Sequence, residues 1–123
     1  MGPCSRRDPR FSLRPPLVLS IHGDALPTTG AQLLDISRSG TAILADVLLG
    51  DPGVFFVLDL PDDSASERQP ISCELRWVLA ENYPLPQRWL HGAQFGISDE
   101  RVQRLIDRWV HRARRAGAIS RQP

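Results

Sequence analysis

Two short tracts in the first third of the chain carry residue types suited to holding a nucleotide. Arg6, Arg7 and Arg10 lie in SRRDPR, residues 5–10, and Asp35, Ser37 and Gly40 lie in DISRSG, residues 35–40. A guanidinium pairs bidentately with phosphate and with the O6/N7 edge of guanine. A carboxylate accepts from the N1 and N2 donors on guanine's other edge. Clustered arginines on one segment, with a carboxylate, a hydroxyl and a glycine on a tight turn, complement a guanine nucleotide. Alone, the arginines read as a solvated basic tail. The second tract alone reads as an Asx-type turn joining two strands, with Gly40 at positive φ. The pairing of the two favours a ligand.

Other residues offer less. His22, His91 and His111 are scattered, and no pair has metal-ligand spacing with a third ligand nearby. They are expected to be structural or exposed. Ser37 lacks a nucleophile-elbow context, and Asp62 and Asp63 read as a loop. No catalytic residue, metal site or cofactor is therefore expected. Cys4 and Cys73 are the only cysteines; one exposed and one buried thiol in a reducing cytoplasm is the simplest reading. Trp77, Trp89 and Trp109 sit in apolar surroundings, which suits core or rim packing.

The elements that would position these residues are short apolar runs broken by turns. Residues 1–10 contain Gly2, Pro3 and Pro9, show no periodicity, and read as a mobile arm. Runs at 17–21, 31–36, 41–45, 53–60, 71–79 and 89–97 follow, with turn residues between them. This spacing suggests a small sandwich or barrel. Pro15 and Pro16 interrupt the first strand. Val102, Leu105, Ile106, Trp109, Val110 and Ala113 recur at three- and four-residue steps, which is helical. Ser98 or Asp99 can cap that helix, and Gly117 can stop it. Residues 116–123 form a tail.

A chain of 123 residues bounds this to one domain with one modest core. It has no apolar run long enough to span a membrane, and no signal peptide is expected. Net charge is +1, unevenly spread. Residues 1–14 carry +3, residues 15–100 carry −8, and residues 101–115 carry +5. An acidic body between basic ends argues against a nucleic-acid polymer as partner. The arginine face of the helix reads as solvated, or as a docking surface for an acidic protein.

Arg6-x-x-x-Arg10 followed by Asp35-x-Ser37-x-x-Gly40 resembles the paired signature of the PilZ domain, a bacterial receptor for cyclic di-GMP. Phe11 and Leu13 resemble the family's first strand, residues 75–78 its tryptophan-bearing strand, and residues 92–95 the glycine-x-x-phenylalanine of its last strand. The resemblance implies a mostly β fold: a six-stranded antiparallel β-barrel over residues 11–115, ending in a C-terminal α-helix. It implies that Arg6, Arg7, Arg10, Asp35, Ser37 and Gly40 bind cyclic di-GMP, and that the arm of residues 1–10 closes over the ligand. The result would be a cytoplasmic receptor that signals to an effector protein, with no catalysis. The alternative is a nucleotide-independent adaptor acting by protein contact, as in type IV pilus assembly.

Overall fold

In most of the strands, stretches of alternation separate an apolar inside from a polar outside, while residues 41–45 are buried at every position. The computed structural model describes residues 8–24, 26–62, 67–81, 88–97 and 99–116. Six strands precede one helix: β1 (Phe11–Gly23), β2 (Leu26–Ile36), β3 (Gly40–Ala45), β4 (Phe55–Pro61), β5 (Arg68–Glu81), β6 (Arg88–Phe95) and α1 (Glu100–Arg115). They close into an antiparallel barrel in the order β1-β2-β3-β6-β5-β4, with β1 pairing to β4. In β4, Phe56, Leu58 and Leu60 are buried, while the alternating Phe55, Val57 and Asp59 are not. Ile21, Leu33, Ile43, Leu58, Ile71 and Leu75 are fully buried in the barrel core. Each such side chain contributes about 1.5–3 kcal/mol by leaving water. The closing contact is short, pairing Ile21 with Leu58 and His22 with Val57.

β1 departs from the run at 17–21. It starts at Phe11 and passes through Pro15 and Pro16 instead of being broken by them. The β1–β2 register shifts between Ser12 and Leu17, and the prolines fall within that irregularity. Proline has no N–H to give the ladder, so a locally unpaired stretch accommodates both rings. Phe11 and Leu13 remain buried as part of the core.

The helix covers this core. Asp99 is its N-cap, its carboxylate accepting from the Val102 N–H at 3.0 Å. Val102, Leu105, Ile106 and Ala113 are buried, and Trp109 and Val110 pack partly against the same cluster. Trp109 donates its indole N–H to the Pro61 carbonyl at 2.8 Å, and Arg108 meets Asp62 at 3.0 Å. These two contacts tie α1 to the end of β4. Ser98 and Gly117, the other expected helix signals, lie outside the described residues, as does the tail beyond Ala116. Among the described residues no helix is long and apolar enough to cross a membrane.

Candidate functional site

The hairpin between β2 and β3 builds the site. Ser37 donates its N–H to the Gly40 carbonyl at 2.9 Å, and its hydroxyl accepts from the N–H groups of Gly40 at 3.0 Å and Ser39 at 3.2 Å. The turn is thus organised by a serine side chain rather than by the expected Asx bond of Asp35. Ser37 is buried by this duty. A second correction concerns Gly40. Among the described residues only Gly50 and Gly53 adopt positive φ. Gly40 is required for a different reason: a Cβ there would overlap the Ala93 carbonyl oxygen of β6. It allows β3 and β6 to approach closely where the turn begins its return.

Asp35 sits one step before the turn, almost wholly buried at 1 % exposure. The β2–β3 register shifts between Leu33 and Asp35, which places its carboxylate against β3. One carboxylate oxygen, Oδ1, accepts from the Ala42 N–H at 3.0 Å. The other, Oδ2, lies 3.4 Å from Nη1 of Arg10, whose side chain is one-third exposed. The main-chain carbonyl of Asp35 accepts from the Thr41 hydroxyl at 2.6 Å. The carboxylate therefore joins two strands and also anchors the basic segment that precedes β1.

Of the six residues expected to bind ligand, the structure brings together Arg10, Asp35, Ser37 and Gly40. Arg10 meets Asp35 directly across 25 residues of sequence. Arg6 and Arg7 lie outside the described residues. Arg14 is exposed within β1 and has no place in this cluster. Arg38, at a variable position of the turn, reaches to α1, its Nε 3.5 Å from Oδ1 of Asp107.

The register extends the site across the barrel. Ser12 pairs with Asp35, Asp35 with Ala42, Ala42 with Gly92, and Gly92 with Trp77. Directly paired residues project to the same side of a sheet. Their chain neighbours Ile36, Ile43 and Ala93 belong to the core and Val78 packs against it, so this row lies on the outside. At its far end the Trp77 indole lies across Gly92, occupying the space a Cβ would need. Trp77 is only half-buried. This agrees with the core or rim packing expected of it, and its position in line with Asp35 makes it a further candidate for the site. The signal that could have found it is the glycine of HGAQF facing the tryptophan of LRWV on adjacent strands.

The remaining chemistry-bearing groups are structural. His91 is fully buried; its Nε2 accepts from the Leu49 N–H at 3.1 Å, and its Nδ1 lies 3.2 Å from the Ile43 carbonyl. The Leu49 donor fixes the tautomer with the proton on Nδ1, which donates to Ile43. Burial lowers its pKa, although the main-chain hydrogen bonds oppose this. The imidazole pins the segment after β3 to the barrel. Cys73 is buried, and burial pushes its thiol pKa up, so it is inert; Cys4 lies outside the described residues. His111 is exposed on the helix as expected, and His22 is 3.9 Å from Asp59.

The profile of the PilZ domain family matches residues 5–112. No curated protein matches the chain in sequence. Among solved structures, the PilZ domain with cyclic di-GMP of YcgR from Escherichia coli is similar at 16% identity, with a TM-score of 0.70, covering 91% of this chain and 93% of that one. The MrkH–cyclic di-GMP complex of K. pneumonia is similar at 21% identity and a TM-score of 0.69, covering 90% of this chain. The Bacillus subtilis inhibitor of motility MotI/DgrA is similar at 16% identity and a TM-score of 0.64, covering 95% of this chain. This chain spans only 55% and 57% of the latter two.

Proposed function

The chain belongs to the PilZ domain family, and on that premise we propose that it is a receptor for cyclic di-GMP that signals to a partner protein in the cytoplasm. The observation that carries this reading is the Arg10–Asp35 pair at 3.4 Å, at one end of an outer barrel row that finishes under the Trp77 indole. Two of the structural relatives were solved with cyclic di-GMP.

The residues divide the work. Asp35 presents a carboxylate fixed on rigid strands by its bonds to Ala42 and Arg10, a group of the type that accepts from the N1 and N2 donors of guanine. Ser37 and Gly40 hold the turn that frames it. Arg10, with Arg6 and Arg7, pairs with phosphate and stacks on purine faces. Asp35 and Gly92 are two strand spacings apart, about 10 Å. A ligand that reaches both the carboxylate and the indole must be longer than one base, as a dinucleotide is. The arm of residues 1–10 closes over the bound ligand and changes the surface a partner meets. A micromolar affinity requires about −8 kcal/mol. Several charge-assisted hydrogen bonds at about 1.5–3 kcal/mol each, with base stacking, reach that after ordering costs.

Equilibrium dialysis against cyclic di-GMP, followed by chromatography of the recovered nucleotide, tests the reading. Retention of intact ligand is the expected result. A linearised or cleaved product would make the protein an enzyme. No retention would move it to the adaptors that work by protein contact alone.

A further inference from the structure

A shallow, open groove of about 770 Å³ lies against the outer face of α1, bordered among the described residues by Arg104, Asp107, Arg108, His111, Arg112, Arg115 and Ala116. Four arginines and a histidine face it against one acid. Arg108 is engaged with Asp62, Arg112 lies over the Trp109 ring at 4.5 Å, and Asp107 forms an ion pair with Arg38 at 3.5 Å and accepts from the Gln103 side chain at 2.9 Å. Arg104 and Arg115 have no ion-pair partner among the described residues. The positions 104, 108, 112 and 115 follow one another at steps of four, four and three, a single stripe on one helix face. At 1.5 Å per residue they stand about 6, 6 and 4.5 Å apart along the axis. Side chains on one side of an extended peptide repeat at about 6.6 Å. Carboxylates at alternate positions of an extended segment lying along α1 therefore meet successive arginines.

We propose that this groove docks an extended acidic segment of the partner protein, with Arg104 and Arg115 as its anchors; this rests on the reading of the chain as a receptor that acts through a partner. Charge selects the occupant. The rest of the body, residues 15–100, carries −8, so a broad polyanion such as duplex or membrane surface is repelled beyond the groove, whereas a short segment stays within it. The groove has no free aromatic platform for single-stranded nucleic acid: Trp109 gives its N–H to Pro61 and one face to Arg112. It also has no large apolar side chain to enter a bilayer, because among the described residues the large exposed hydrophobic side chains all lie outside α1. Asp107 belongs both to the groove and, through Arg38, to the Asp35–Gly40 turn, so the docking surface adjoins the ligand site.

The test is fluorescence anisotropy with a labelled ten-residue peptide alternating Glu and Ser, titrated with the full chain at physiological salt. A labelled oligo-dT and vesicles containing phosphatidylserine serve as comparators. The double variant Arg104→Ala/Arg115→Ala is expected to weaken peptide binding about twofold to thirtyfold, the worth of two exposed ion pairs. Arg14→Ala/Arg114→Ala removes the same charge away from this stripe and is expected to bind as the wild type does. Alanine preserves helix propensity at positions 104, 114 and 115. Equal weakening by the two double variants, tighter binding to oligo-dT or vesicles, or no saturable peptide binding overturns the proposal. Cyclic di-GMP titrated into the same proteins separates the two claims. Both double variants should bind it normally. If the wild type does not bind the nucleotide, the receptor reading fails and the peptide result decides the groove by itself.

Discussion

Asp35 is expected to have two separable duties, and two substitutions divide them. On sequence grounds, Asp35→Ala should reduce guanine selectivity and leave the fold intact. The structure adds a cost. The carboxylate is almost wholly buried and satisfies the Ala42 N–H at 3.0 Å, where the register shift has taken the chain off the regular ladder. Removing it leaves that donor unpaired. A hydrogen bond to a charged group contributes about 1.5–3 kcal/mol. For a domain of this size each kcal/mol moves Tm by roughly 3–6 °C, so Asp35→Ala should lower Tm by about 5–18 °C. Asp35→Asn retains an amide oxygen able to accept from Ala42. It loses the charge that attracts Arg10 and that guanine's donors require. Its Tm should fall by no more than about 5 °C, because the Arg10 contact is long and one-third exposed. Its affinity for cyclic di-GMP should drop about tenfold or more, one charge-assisted contact being about twice as strong as a neutral one. Scanning calorimetry and nucleotide titration on both variants read the two quantities independently. The reasoning fails if Asp35→Ala melts with the wild type, or if Asp35→Asn binds cyclic di-GMP undiminished.

Three further outcomes are expected. Arg10→Ala should weaken cyclic di-GMP at least tenfold, about 1.4 kcal/mol, with little change in Tm; wild-type affinity in a filter-binding assay would remove the arm from the site. Trp77→Ala should cost about 1–3 kcal/mol of affinity, the value of stacking one base, while Trp77→Phe recovers part of it; equal affinity for all three proteins would return Trp77 to packing alone. His91 is held below its ordinary pKa by burial, so the unfolded chain protonates first as pH falls. Its contribution to stability is thus complete above about pH 6.5 and is lost below that. The urea midpoint should be lower at pH 5.5 than at 7.5, and His91→Gln should flatten the difference; an unchanged slope in the variant would assign it elsewhere.

The barrel was legible because it rests on local patterns. Alternation in β4, the turn residues between runs and the helical spacing of Val102, Leu105, Ile106 and Ala113 each act within a few residues. The start of β1 was less so. Proline's local cost argues for a break at Pro15, but pairing with β2 and burial of Phe11 and Leu13 carry the strand through. Asp35, Ser37 and Gly40 were legible as a group and misassigned in detail. The reason for Gly40 lies in the approach of β6, more than fifty residues away, and not in its own φ. The alignment of Trp77 with Asp35 was hidden for the same reason, since only the β5–β6 register lays its ring across Gly92. Contacts between distant strands depend on register, which no local pattern states.

The central claim is selective recognition of cyclic di-GMP, and isothermal titration of that nucleotide into the full chain tests it most directly, with GTP and cyclic di-AMP as controls. The expected result is saturable heat with cyclic di-GMP alone, at a dissociation constant on the order of micromolar. Equal binding of cyclic di-AMP would contradict guanine reading by Asp35. No heat with any of the three, matched by an unchanged melting temperature, would contradict the receptor assignment itself.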